Sequence, residues 1–277
     1  MQINHNLSAL FVNRQLERAQ VDMSRSIEKL ASGEKINHAG DDATNLAVSE
    51  KMRTQIRGLA QAEQNALNGI SFIQVAEGNM GQVNDILQRI RELSVQAANG
   101  IYSQADRLQI QVEVSQLIEE VDRISTTAEF NRMKLLTGDF ARNSAKGSIF
   151  FHVGPNKDQR IRAFIQTMNS GSFNLAGDIA TVGAANLMIG TVDDAIDHLT
   201  RQRADLGAYY NRIETTVEAL RTGYENMVAA DSRLRDTDMA EELLEFTRSQ
   251  MQMQSGTAML AQANLSSRLV IQLLENA

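Results

Sequence analysis

The sequence predicts a mainly α-helical protein, built as a long antiparallel coiled-coil helical rod with a small β-hairpin tip and both termini at the same end. Three observations carry this. Apolar residues recur at alternating three- and four-residue steps over most of the 277-residue chain, which contains one proline. The pattern lapses between Gly138 and Gly190, where glycine and asparagine rise. The long helical segments are joined by turns short enough to force an antiparallel return.

The stretch Val192 to Leu234 shows the pattern most clearly. Val192, Ile196, Leu199, Leu206, Tyr210, Ile213, Val217, Leu220, Tyr224 and Met227 form a coiled-coil seam, with Arg203 where a seven-residue step would divide. At 1.5 Å per residue this helix spans roughly 65 Å, too long for one compact domain, and its single narrow apolar face needs partner helices of similar length.

The other elements follow in order. Residues 1–41 hold a helix with Ala9, Leu16, Met23 and Leu30 spaced by seven; Asn6 or Ser8 suits its start and Gly33 its stop. Residues 42–137 read as an antiparallel helix pair. Its first helix begins near Asp41 or Asp42, runs through Met52, Ile56, Leu59, Ala66, Ile70, Ile73, Val83, Leu87, Ile90 and Ala97, and stops at Asn99-Gly100. Ser103 and Asp106 then form a near capping box, followed by Ile110, Val114, Leu117, Val121, Ile124 and Ala128. In residues 138–190, Ser148 to Val153 and Arg160 to Gln166 look like two strands around the turn GPNKDQ. An isolated hairpin is marginal, so it is expected to lie against the helices. Residues 191–235 are the return helix, and residues 236–277 carry a final helix from about Met239 to Leu274.

Composition limits the function. Without cysteine there is no disulfide, zinc-thiolate site or Cys nucleophile. A net charge of −7 disfavours general nucleic-acid binding. No apolar run reaches the roughly 18 residues of a membrane span, and no cleaved signal peptide is visible. His5, His38, His152 and His198 lack metal-ligand spacing, and Asp41-Asp42 and Asp193-Asp194 read as helix caps. No phosphate-binding loop or nucleophile elbow is present. No catalytic residue, metal or cofactor is expected.

The functional signal lies at the ends. Residues 1–13 contain no charged side chain and residues 249–274 contain only Arg268. Both are nonetheless amphipathic, with Ile3, Leu7, Leu10 and then Leu16 on one and Met251, Ala258, Leu265, Leu269 and Leu273 on the other. A helix packed among identical copies cannot carry charge, because each charge would repeat beside itself. Frayed termini are the alternative. Three functions are weighed: a self-assembling structural protein, a coiled-coil signalling module, and an enzyme. The uncharged ends favour the first.

The chain resembles the bacterial flagellins. The blocks that carry the resemblance are INHNLSAL, EKLASGEKINHAGDDATNLAVSEKMRTQIRGL and NALNGISFIQVAEGNM, then QRADLGAYYNRIE, SRLRDTDMAEE and SGTAMLAQANLSSRLVIQLL. RIRELSVQAANGIYSQADRLQIQVEVSQLIEEVDRI and FHVGPN resemble the spirochaete subgroup, whose filaments rotate in the periplasm. Asn45 stands where the family usually has glycine, and Ser266-Ser267 where it usually has proline.

The resemblance implies a homopolymer whose terminal helices form the inner tube of a helical filament, with the middle helices and hairpin outside it. The rod core would then comprise Ile56, Leu59, Ile70, Ile73, Leu87, Ile90, Val114, Leu117, Val121, Ile124, Ile196, Leu199, Leu206, Ile213, Val217 and Leu220. It further implies export through the flagellar type III route, an export chaperone, hook-junction and filament-cap proteins, and co-assembly with other flagellins or sheath proteins. A contact motif for an innate immune receptor maps onto Arg89, Leu93 and Glu113.

Overall fold

The computed structural model describes residues 6–275 apart from 143, 145, 146 and 176, with side chains as far as Ser266. The elements are α1 (Leu7–Ser32), α2 (Ala43–Ala98), α3 (Gln104–Thr127), β1 (Glu129–Phe130), β2 (Met133–Lys134), β3 (Ile149–His152), β4 (Arg160–Ala163), α4 (Val182–Arg235) and α5 (Met239–Glu275). They form two compact units, residues 55–225 and residues 1–54 with 226–277. The fold is mainly helical, with two small antiparallel strand pairs.

The helix ends follow from their caps. The Asn6 side chain accepts from the Ala9 N–H, and Gly33 closes α1 in the left-handed conformation at φ 72°. Asp42 accepts from the backbone N–H groups of Thr44 and Asn45 at the start of α2. Ser103 and Asp106 make both halves of a capping box on α3.

In the unit of residues 55–225, α2 pairs antiparallel with both α3 and α4. Arg89 meets Glu113 at 2.9 Å across α2 and α3. Arg91 meets Asp193 at 2.6 Å, Glu77 meets Arg203 at 3.6 Å, and Glu63 meets Arg221 at 2.7 Å, so α4 numbers fall as α2 numbers rise. Between them, Ile73, Leu87, Ile90, Val114, Val121, Ile124, Leu199, Leu206, Ile213, Val217 and Leu220 are buried. Leu59, Ile70, Leu117 and Ile196 pack against this core half-buried, and Ile56 is also half-buried.

Five details correct the sequence reading. First, the buried residues of α4 include Ala195 and Gln202, so Gln202, not Arg203, fills the divided heptad. The Gln202 amide donates to the Phe164 carbonyl at 3.1 Å and accepts from the Gln166 N–H at 3.3 Å, which permits a polar group there. Second, α3 stops at Thr127, and a tight hairpin follows. Asn131 and Arg132 both take positive φ, the conformation such two-residue turns require. Third, α4 begins at Val182 rather than near 191. Thr181 accepts from the Ala184 N–H, and Ala185 and Met188 extend the buried face. Fourth, Asp193 and Asp194 therefore lie inside α4 and cap nothing.

Fifth, the β3–β4 hairpin lies along the flank of α2. Phe151 faces Gly69 and Pro155 faces Gly58, while the α2–α3 turn lies at the other end of that helix. Phe72 receives Phe130, Phe140 and Phe151 edge-on at centroid distances of 5.6, 6.2 and 5.7 Å. The hairpin thus covers α2 where α3 has ended. Residues 164–175 and 177–181 return along α3, held by Ser170 on Asp122 and by Ile179 on Gln111.

Candidate assembly surface

The unit containing the chain ends is built on α1 and α5, which pack antiparallel. The Asn6 amide donates to the Ala263 carbonyl at 3.0 Å, and Lys29 meets Glu242 at 3.5 Å. Between these points Leu16 sits against Gly256, so tightly that a Cβ there would lie 2.7 Å from a Leu16 methyl. The less exposed positions of α1 include Ala9, Val12, Leu16, Ala19, Met23 and Ser26; those of α5 include Ser249, Met253, Gly256, Leu260 and Ala263. Both sets follow three–four steps, giving a seam within the chain. Leu16 belongs to this seam, and so is half-covered by the chain's own α5.

A second apolar face points away from the seam. Leu7, Leu10, Met251 and Leu265 are 64, 56, 66 and 53% exposed, and Ala258 is exposed as well. Sequence reasoning missed Phe11, which is 62% exposed beside Leu10, and Met259, which lines a groove with Phe11, Gln15 and Gln252. Phe11 lies one residue past the Ile3, Leu7, Leu10 steps, and Met259 one residue past Ala258 in the seven-residue row of Met251, Ala258 and Leu265. Ile3 lies outside the described residues, as do the side chains of Leu269 and Leu273. Helix α5 continues through Ser266-Ser267 without a break.

A polar cluster ties the loop after α1 to the helices beside it. Glu34 bonds Arg53 at 2.5 Å and Arg235 at 2.7 Å; Arg53 also reaches Asp231, and Arg235 reaches Glu50. Ser49, fully buried, donates to Asp231 at 2.6 Å. Partial burial pushes the Glu34 carboxyl up, but the Arg53 and Arg235 hydrogen bonds outweigh it and hold the group below its usual range. Backbone bonds from Lys35 to Arg235 and from Thr237 to Gly33 complete the joint. It fixes where α1 leaves the loop and where α5 begins.

These groups are ion pairs, caps and apolar faces. Among the described residues no group of three His, Asp or Glu side chains could hold a metal ion, and no helix is long and apolar enough to cross a membrane.

Residues 3–141 match the bacterial flagellin N-terminal helical region, and residues 189–274 match the bacterial flagellin C-terminal helical region. The chain belongs to the bacterial flagellin family. It is 55% identical to the flagellin FlaB2 of Treponema pallidum (strain Nichols) over 99% of this chain and all of that one. It is 54% identical to the flagellar filament 33 kDa core protein of Treponema phagedenis over the same shares. A solved structure of a candidate flagellar hook-associated protein from Vibrio parahaemolyticus shares the fold, with a TM-score of 0.58, 13% identity, and coverage of 71% of this chain and 100% of that one. As a flagellin, the chain is a structural subunit of the flagellar filament and not an enzyme.

The family's implied receptor motif is only partly on the surface of this flagellin. Arg89 and Glu113 are exposed and paired with each other, and Arg89 also meets Glu92 at 3.2 Å. Leu93 is 3% exposed and belongs to the helical core, because it follows Ile90 by three residues on the same face. Of these three residues only Arg89 and Glu113 are therefore on the surface.

Proposed function

We propose that the chain polymerises head to tail through the outward faces of α1 and α5, as the core subunit of a spirochaete periplasmic flagellar filament. One observation carries the reading: Leu7, Leu10, Phe11, Met251, Met259 and Leu265 are exposed apolar residues inside stretches almost free of charge. Such faces are costly in water unless covered. A heterologous contact between identical subunits covers them and extends as a helix. The outward residues of the two helices, with Ile3, Leu269 and Leu273 continuing their spacing, would form the inner tube. The periplasmic location is supported by the Treponema relatives, named as flagellins and filament core proteins. This reading carries with it export through the flagellar type III route, a chaperone holding α5 before assembly, and junction, cap and sheath proteins as partners.

The test is growth of purified monomer on filament fragments, followed by electron microscopy. Wild-type protein should elongate the seeds, and Leu265→Asp should not, because it sets a repeated charge in an apolar contact. Wild-type monomer that never elongates seeds would sink the proposal; normal growth of the Leu265→Asp variant would remove α5 from the interface.

A further inference from the structure

The outer face of the β3–β4 hairpin is aromatic and cationic. Phe150 is 46% exposed and stands opposite Arg162, with His152 opposite Arg160 on the same face. The Arg160 and Arg162 guanidinium carbons lie 4.6 and 5.4 Å from the Phe150 ring centroid. Stacking on the ring holds both groups in place and leaves their N–H edges free for carboxylates. Arg160 has only a loose contact to Asp158, at 3.9 Å. Residues 129–163 carry seven Lys or Arg against three Asp or Glu, a net +4 in a chain of −7. The rest of the molecule is therefore strongly acidic.

We propose that this face grips Asp194 and Asp197 of a neighbouring copy of the chain; the inference rests on the filament reading above. From Val182 to Thr200, α4 carries Asp193, Asp194 and Asp197 and no Lys or Arg. Asp193 is held by Arg91. Asp194 and Asp197 are exposed, and no ion pair engages them among the described residues. Glu214 and Glu218 are also exposed, but Arg212 and Arg221 flank them. The spacings agree as well. Alternate strand residues such as Arg160 and Arg162 lie about 7 Å apart along one face, and helix residues three apart about 5–6 Å.

The two surfaces cannot meet within one chain. Asn65 of α2 bonds the His152 carbonyl, and Arg91 of α2 bonds Asp193. Those α2 positions are separated by about 40 Å of helix at 1.5 Å per residue. Between the parallel copies of a filament, the contact joins two chains displaced by about that distance along α2, a heterologous contact that repeats without closing. Exposed Phe and Arg side chains are well suited to anchor it.

The experiment is seeded assembly of the full chain, reading the critical monomer concentration, with monomer melting as a folding control. The variant Arg160→Glu/Arg162→Glu should raise the critical concentration about tenfold or more, equivalent to ~1.4 kcal/mol per subunit. One chain combining it with Asp194→Arg/Asp197→Arg should recover most of that loss, because each subunit presents both surfaces. Assembly of the first variant at the wild-type concentration would overturn the inference and leave the filament reading intact. So would failure of the combined variant to recover, or a defect seen only in cells, which would assign the face to another anionic partner. Failure of the wild-type chain to assemble at all would instead strike the filament reading itself.

Discussion

At the scale of single residues, the glycines of α2 divide by what faces them. Glycine inside a helix ordinarily costs about 1 kcal/mol relative to alanine. Gly81 has nothing within 4 Å of where a Cβ would sit. At Gly69 a Cβ would lie 2.9 Å from the Phe151 ring, and at Gly58 it would lie 2.8 Å from Pro155. Phe151 is itself wedged against Phe72, so it has little room to move. Gly81→Ala should therefore stabilise the monomer by about 1 kcal/mol, whereas Gly69→Ala should lose that gain to overpacking and end about 1 kcal/mol less stable than wild type. Urea denaturation of the two variants checks this; equal gains for both would mean that the hairpin does not press on α2. The sequence alone marks all three glycines as mild helix defects. The difference lies in a partner some eighty residues downstream, which no local pattern records. Gln202 was obscured for a related reason: its polarity disqualifies it as a seam residue until the Phe164 and Gln166 backbone groups are known to satisfy it.

At the scale of elements, helix starts and stops were legible because caps are local chemistry. Asn6, Gly33, Asp42 and the Ser103–Asp106 box all act within three or four residues of themselves. The start of α4 was not, because Gly183 and Gly190 resemble a loop, while the burial of Ala185 and Met188 that holds them helical comes from tertiary packing. The joint around Glu34 was equally hidden, since its members come from residues 34–53 and 231–235. It has a pH consequence. The Glu34 carboxyl titrates below its ordinary value of 4.5 when folded, so its contribution is fully present above that pH and is lost as pH falls through the folded value. The amide protection of residues 33–36, taken relative to intrinsic exchange at each pH, should fall below pH 4.5 in wild-type monomer. Glu34→Gln should show faster exchange already at neutral pH and a smaller acid response, having lost about 1 kcal/mol of charge-assisted bonding. An unchanged acid response in Glu34→Gln would place the acid sensitivity of the joint on other groups.

At the scale of the whole molecule, the two units differ in how much of their apolar surface they cover themselves. The core of residues 55–225 is closed by its own side chains: Met80, Val83, Leu87, Ile90, Leu199, Leu206 and Ile213 are essentially inaccessible without any second chain. The unit of the chain ends is different. Its α1–α5 seam is thin, with Ala19 and Ser26 buried in α1 and Ser249 in α5, while larger apolar residues face outward. Few side chains of the seam are fully buried and those are small, while Leu16, Met23, Met253 and Leu260 are only half-covered, so under the filament reading much of the apolar area in this unit would be buried between subunits. Removing residues 249–277 should thus abolish elongation of filament seeds while leaving the exchange-protected amides of residues 55–225 at wild-type protection. In the same variant α1 should lose protection, because Leu16 and Asn6 lose Gly256 and Ala263 as neighbours. Hydrogen exchange of the truncated monomer distinguishes the cases. Loss of protection throughout residues 55–225 would make α5 part of the folding core, and retained protection in α1 would show that α1 does not depend on α5 for its structure.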